Sequence, residues 1–415
     1  MSVVKQSQKL HWFAIFSAIA TLCLIALGGL VTSHQAGMAV PDWPTTYGYN
    51  MFFFPISQWV GGIFYEHTHR LLAAFIGLVT SILAGWLWVR GNTGKARWGG
   101  LLTILVLVMA LGHRGSGHTT GGASVIPFHF KILAVVIPFL LVFGTVQVIR
   151  SCGALHWLGL TAFFAVIMQG LLGGFRVALY QDEIGIFHAT LAQVFLLLLS
   201  IIALMTSRWW INGFISQSAP PRNLLLASGV ICGLILGQLM LGASMRHQHA
   251  GLAVPDFPLA YGKIWPATDA ESVTQYNAQR VDYRDFNPIT GNHVLLHMAH
   301  RLGAVIIWGS ILALLVAAAK KAGTQSVFFK AVLAWSLLLT LQAVMGAWTV
   351  LSNKAADIAT LHVVLGAFSL IFGGIITVSG FRSRSLFDKV TSSALTETKT
   401  SHTHLVVEAN LAGKH

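Results

Sequence analysis

The chain is short of charge. Asp, Glu, Lys and Arg make up only 9% of its 415 residues, and its mean hydropathy is +0.70. Soluble domains carry about 25% charged residues, so a soluble globular protein is excluded. Cysteine is scarce: Cys23, Cys152 and Cys232 all fall in or beside apolar runs. The two Pro- and Gly-rich loops of the chain hold none, which excludes a disulfide within either. Segments of about ten residues with alternating polarity, the signature of a membrane barrel, are absent. Residues 34–65 contain no Lys or Arg at all.

What the sequence has instead is apolar runs of about 20 residues, the length a helix needs to cross roughly 30 Å of hydrocarbon. They predict an all-α polytopic membrane protein with spans at 11–33, 67–89, 98–112, 131–149, 154–175, 188–207, 223–245, 295–319, 327–350 and 360–380. The third is short and holds Gly99, Gly100 and Gly112, so a re-entrant segment is its alternative. The net charge of +13 sits mostly in short loops on one side of these spans and at the ends of the chain. That is the pattern that sets topology rather than a nucleic-acid footprint. By the positive-inside rule both termini are cytoplasmic. The N-terminal "MSVVKQSQKLHW" is not Arg-rich, unlike an organellar transit peptide, which makes a bacterial cytoplasmic membrane the simplest home. The tail 383–415 is polar, rich in Ser and Thr, and reads as disordered.

The chain also repeats itself. "AGMAVPDWPTTYG" at 36–48 returns as "AGLAVPDFPLAYG" at 250–262, each a shaped loop on the outer side. Two Pro and two Gly per copy forbid a helix there. "HTHRLLA" at 67–73 resembles "MAHRLGA" at 298–304, and "MQGLLGGFRV" at 168–177 resembles "LQAVMGAWTV" at 341–350. "FHATLAQVFLL" from Phe187 resembles "LHVVLGAFSLI" from Leu361. Two parallel four-helix halves follow, residues 11–207 and 223–380. His69 to His188 is 119 residues and His300 to His362 is 62. The surplus of 57 is the length of a helical hairpin, placed at 98–149. Eight core helices plus an inserted pair is the resulting architecture, about ten spans in all.

His69, His188, His300 and His362 sit at the outer ends of spans, in equivalent places. A solvated interfacial His is the alternative for any one of them, but polar residues within a membrane usually mark function. Two imidazoles from facing helices of a four-helix bundle can bind one iron axially. Zinc fits less well, because no Cys or carboxylate cluster completes a tetrahedron. The inference is two bis-His haem sites, one per half. Arg70 and Arg301 follow His69 and His300 directly; each either snorkels to the interface or pairs with a haem propionate. His34, His247 and His249 flank the repeated loops as weaker propionate contacts. His113, His118 and His129, in the inserted hairpin, read as solvated or structural. Asp42 and Asp256 are expected to anchor their own loops through side-chain to backbone bonds.

The pieces "GGLVTSHQAGMAVPDWP", "EHTHRLLA", "QGLLGGFRV", "GIFHATLAQ", "HMAHRLGA" and "LHVVLGA" together resemble the heme A synthase family over roughly residues 20–380, outside the insertion. The resemblance implies oxidation of a methyl group of heme O to a formyl group, by two hydroxylations and loss of water. It implies a b-type haem in the C-terminal half, on His300 and His362, and the substrate haem in the N-terminal half, on His69 and His188. The family's Glu-x-x-His maps onto Glu66 and His69, with Glu66 as the proton handler. Aligning His69 with His300 places His297 opposite Glu66, which makes the N-terminal half catalytic and the C-terminal half an electron relay. The partners implied are heme O, an electron donor of unspecified identity, and heme O synthase or oxidase assembly factors. Many bacterial members carry a cysteine pair in the first outer loop; this chain has none there. The inserted hairpin is also outside the pattern. Two other classes stay open: a bis-haem electron-transfer cytochrome, which gives Glu66 no role, and a repeat-built transporter, which holds no haem.

Overall fold

The computed structural model describes residues 8–91, 153–212, 219–280 and 288–412. The described residues form ten α-helices: α1 Gln8–Ser33, α2 Gly61–Gly91, α3 Ala154–Ala178, α4 Glu183–Met205, α5 Arg208–Asn212, α6 Arg222–His247, α7 Ala270–Gln279, α8 Gly291–Ala322, α9 Val327–Leu351 and α10 Ala356–Ala412. Eight are long and apolar enough to cross a membrane, all except α5 and α7. They contain eight of the ten expected spans. Segments 98–112 and 131–149, with His113, His118, His129 and Cys152, lie outside the described residues.

Local chemistry sets the ends. Thr290 caps α8 by accepting from the His293 amide, and Ser326 caps α9 by accepting from that of Phe329. Pro220 and Pro221 hold the chain extended before α6. Gly323, at φ 83°, ends α8 in a conformation that a side chain would strain. The four helices that carry the singled-out histidines all begin earlier than their apolar runs: α2 at 61 rather than 67, α4 at 183 rather than 188, α8 at 291 rather than 295, α10 at 356 rather than 360. Hydropathy marks where a helix turns apolar, not where its hydrogen bonds start. The histidines therefore stand one to two turns inside their helices, not at the very ends. At the other end of the chain α10 runs on to Ala412. The sequence reading expected disorder from 383; residues 381–412 contain no Gly or Pro to break a helix.

The spanning helices pack as two rings. α1, α2, α3 and α4 contact one another in cyclic order, and so do α6, α8, α9 and α10; the rings meet through α1, α4, α6 and α10. Leu10, Ile76, Leu83, Phe195 and Leu199 belong to the core of the first ring, and Leu225, Ile311, Val332, Trp335 and Leu370 to that of the second. Arg246, near the end of α6, donates to the carbonyl of Gly29, near the end of α1 (2.5 Å), and to the Ser33 hydroxyl. Equivalent ends of the rings thus lie side by side, and the copies run parallel. Thr21, Ser200, Ser228 and Ser336, buried on the spans, donate their hydroxyls to carbonyls one turn back and so need no water.

The two outer loops match in atomic detail. Asp42 accepts from the amides of Tyr47 (2.7 Å) and Gly48 (2.9 Å), and Asp256 from those of Tyr261 (2.8 Å) and Gly262 (3.0 Å). Tyr47 and Tyr261 each donate their hydroxyl back to the loop, to Ala39 and Ala253. Both loops carry a cis X-Pro bond, at Trp43–Pro44 and Phe257–Pro258. Sequence reading did not anticipate α7, which stacks Tyr276 on Tyr261 (ring centroids 3.6 Å) and covers the second loop. Burial and this neighbour push the Tyr261 phenol up to about 12.

Burial pushes the Asp42 carboxyl up, but bonds from Gly48, Thr45 and Tyr47 outweigh it and hold its pKa below the ordinary 3.8. A depressed carboxylate stabilises the fold above its unfolded pKa, and that contribution is lost as pH falls through the folded value. Asp42→Ala is expected to loosen loop 36–48 by roughly 1 kcal/mol. Faster amide exchange at Tyr47 and Gly48 would report it, and wild type should show the same change only below about pH 4.

Candidate functional site

One continuous cavity of about 1520 Å³ runs through both rings. Ligand pockets are usually about 300–1,000 Å³, so the space exceeds a single small-molecule site. Glu66, His69, Arg70, His188, His297, His300, Arg301 and His362 all line it. Each ring brings its two histidines from helices on opposite corners: α2 and α4 in the first, α8 and α10 in the second. The rings of His300 and His362 face each other with centroids 6.5 Å apart and planes at 75°. A metal–nitrogen bond is about 2 Å. Two such bonds plus the inner half of each imidazole span roughly 6 Å, so one iron fits between them.

Each imidazole lies against a glycine of the neighbouring helix. A Cβ built on Gly28 would stand 3.1 Å from Cε1 of His69, and one on Gly173 3.3 Å from that of His188. The figures are 3.3 Å for Gly242 against His300 and 3.0 Å for Gly346 against His362. Four sockets of one design therefore fix four rings. The Nδ1 of every one of these histidines is buried without a well-formed hydrogen bond, although the backbone of Gln169 lies beside the His188 ring and that of Gln342 beside the His362 ring. Such a nitrogen costs about 1–3 kcal/mol, and four in equivalent places mark function rather than packing accident. With Nδ1 turned into the helices, Nε2 is left for the cavity. Among the described residues no cluster of three or more His, Cys, Asp or Glu gathers to hold a bare metal ion. Paired imidazoles in an apolar cavity suit haem iron, which needs only two protein ligands.

Arg70 and Arg301, expected either to snorkel to the interface or to pair with a propionate, are both bonded to their loops. Arg70 donates to the carbonyls of Asp42 (2.6 Å), Thr45 (3.0 Å) and Val40 (2.7 Å) and pairs with Glu66 (2.6 Å). Arg301 donates to those of Asp256 (2.6 Å), Leu259 (2.9 Å) and Val254 (3.3 Å). These are the same loop positions, 214 residues apart. Both guanidiniums clamp their loops, because backbone carbonyls turned inward by the Pro-rich bend present a ready fork of acceptors. Trp43, Pro44, Phe257 and Pro258 are thereby held over the cavity.

Among the described residues, Glu66 is the only acidic one that lines the cavity. Its carboxylate accepts from the Val40 amide (2.8 Å) as well as from Arg70, so it is a paired group and not an isolated one. His297 occupies the matching place against Ala250. Sequence reading missed His67, which is fully buried, bonds Thr46 (3.1 Å) and packs on Trp59 and Phe54. It braces the first loop from the side away from the cavity. The glycine sockets were also missed, although Gly28 and Gly242 share the 214-residue offset of the loops. Of the histidines flanking the loops, His247 lines the cavity, whereas His34 stacks on Tyr65 (4.3 Å). Arg176 and Arg246 line the cavity's outer end; Arg176 pairs with Asp182 (2.9 Å), with its Nε buried and unpartnered.

The sockets can be tested directly. Gly346→Ala must displace the His362 ring by a few tenths of an ångström, and Gly346→Val by more. Loss of low-spin haem absorption is expected to be partial in the first variant and nearly complete in the second, with helicity by circular dichroism unchanged.

Comparison with known proteins places the chain among heme-related relatives by similarity. The chain is 23% identical to a heme A synthase of Shewanella oneidensis over 381 residues, covering 90% of this chain and 96% of that one. It is 24% identical to that of Geobacillus kaustophilus, covering 88% and 89%, and 23% identical to that of Lysinibacillus sphaericus, covering 89% and 94%. The family model described as cytochrome oxidase assembly protein matches residues 111–372, more than half of the chain. The chain belongs to the cytochrome oxidase assembly protein family.

Proposed function

We propose that the chain is a heme A synthase, a multi-pass membrane oxidoreductase that converts a methyl group of heme O to a formyl group. The observation that carries the reading is one cavity holding two diagonal His pairs in equivalent glycine sockets, in a chain whose relatives over nearly their full length bear that name. The N-terminal half, 11–207, takes the substrate on His69 and His188. The C-terminal half, 223–380, holds haem b on His300 and His362, whose ring spacing suits a permanent bis-imidazole site.

Bound haem supplies the one-electron chemistry that no side chain here provides. The chain's own residues position and protonate. Glu66 brings the cavity's only carboxylate to the His69 pair, and Arg70 and the Val40 amide hold it in place. It takes up and returns protons as the methyl group is oxidised. His297, its counterpart, serves the half that relays electrons. Arg176 and Arg246, at the outer end of the cavity, are placed beside Arg70 and Arg301 to meet carboxylates there. The loops exclude water from the outer face. The electron donor and oxidase assembly factors approach from outside this chain. The membrane is the bacterial cytoplasmic one, with both termini inside. A reporter fused after Gly48 or Gly262 should accordingly report the outer face and one after Arg384 the cytoplasm; the reverse pattern would overturn this sidedness.

The central test is chromatography and mass spectrometry of extracted haems. Wild type should yield heme B with heme O or heme A; heme B alone would mean an electron-transfer cytochrome. His300→Ala or His362→Ala should lose most heme B. Glu66→Gln should keep heme B and accumulate heme O or its hydroxylated form, with turnover down about 10²–10⁴-fold. Normal heme A from that variant, with a stall at heme O in His297→Ala, would reverse the assignment of the halves.

A further inference from the structure

The two rings match at the loops, the sockets and the histidines, but differ at one place on their outer sides. Aligning His69 with His300 sets Gly77 of α2 opposite Trp308 of α8. Aligning Gln169 with Gln342 sets Ile167 and Gly170 of α3 opposite Thr340 and Ala343 of α9. In the second ring the Trp308 indole donates to the Thr340 hydroxyl (3.1 Å), tying α8 to α9. In the first ring no such tie is possible, because Gly77 has no side chain and Ile167 no hydroxyl. A Cβ built on Gly77 or on Gly170 meets nothing within 4 Å, and both residues line the cavity.

The α2–α3 and α8–α9 pairs are the helices through which the rings do not meet. The cavity reaches the equivalent place in both rings, but between α2 and α3 it is open at Gly77 and Gly170, while between α8 and α9 the Trp308 indole stands across it. Along the groove lie Ala73, Ala74, Gly77, Val166, Ile167 and Gly170. Every one is small or apolar, and none offers a hydrogen bond from its side chain. Such a surface suits a flexible hydrocarbon chain and nothing polar.

Heme O differs from haem b in carrying a long farnesyl-derived tail. We infer that the groove between α2 and α3 holds the prenyl tail of the substrate haem, and that Trp308 denies a tail to the haem of the other half. The inference rests on the proposed assignment of heme O to the His69–His188 half. It adds the reason that two nearly identical halves select different haems: a tail needs room between the helices, and Trp308 takes that room in one half. The bis-imidazole site cannot discriminate, since the iron and its ligands are the same in both haems.

The test is binding rather than turnover. Purified full-length protein is titrated with heme O and, separately, with protohaem, following the Soret band. Wild type should bind heme O more tightly than protohaem, and His69→Ala should abolish that phase. Gly77→Leu/Gly170→Leu fills the groove with side chains at home in a membrane helix. It should weaken heme O by roughly tenfold or more, the loss expected when about two methylenes of tail contact are denied. Protohaem affinity should be unchanged. Gly170→Leu alone should show the same selectivity to a smaller degree, and serves if the double variant does not elute as a single species. Equal loss for both haems, or none for either, overturns the groove. Wild type that binds no heme O, with a titration indifferent to His69→Ala, overturns instead the assignment of that half.

Discussion

An imidazole laid edge-on against a glycine of the next helix is the contact on which the rest of this protein depends. A membrane helix gains little from burying apolar surface against another helix, because lipid is as apolar as leucine. Close approach must come from small residues, and here Gly28, Gly173, Gly242 and Gly346 provide it. Each glycine lets a histidine ring fill the space its own side chain would have taken. The ring is then fixed by packing on a rigid element, with Nδ1 sealed among helices and Nε2 left for the cavity. Four repeats of that contact set the spacing of both four-helix rings and the separation of the paired imidazoles.

The outer loops show how the same economy is applied to charge. A guanidinium near the membrane surface is costly unless its donors are satisfied. Arg70 and Arg301 satisfy theirs on carbonyls that the Pro-rich bend turns inward, and so fasten loop to helix. Asp42 and Asp256 close each loop on itself. The loop is therefore a rigid lid whose shape is settled before any ligand arrives. Preorganisation of this kind is what a site needs if it is to keep a flat macrocycle in place and water away from it.

Against this shared frame, the places where the halves differ carry the division of labour. Glu66 stands where the other half has His297, and Gly77 where it has Trp308. One exchange provides a paired carboxylate beside one histidine pair and a neutral-capable ring beside the other. The second exchange opens one half outward and fills the other. A duplicated bundle supplies two equivalent histidine pairs at no extra cost in folding information, and on the proposed reading a few substitutions make one of them a workplace and the other a relay.

Much of this was legible in the sequence. Low charge and 20-residue apolar runs dictate membrane helices, because backbone groups in lipid must bond within their own segment. The repeat at an offset of 214 dictates two alike halves, and four histidines at matching places dictate paired ligands. The sequence could not say which acceptors Arg70 and Arg301 would find, because the answer depends on where the loop's carbonyls point after the chain has bent back over the helices. It could not show that Gly28 and Gly173 serve as sockets, since a glycine's neighbour belongs to another helix. Nor could it rank Gly77 against Trp308 until the faces of α2 and α8 were known. Composition and periodicity thus determined the membrane helices, the duplication and which histidines stand in equivalent places. Only the tertiary structure decided which groups meet, because contacts between helices are set by distances across the bundle that no spacing along the chain encodes.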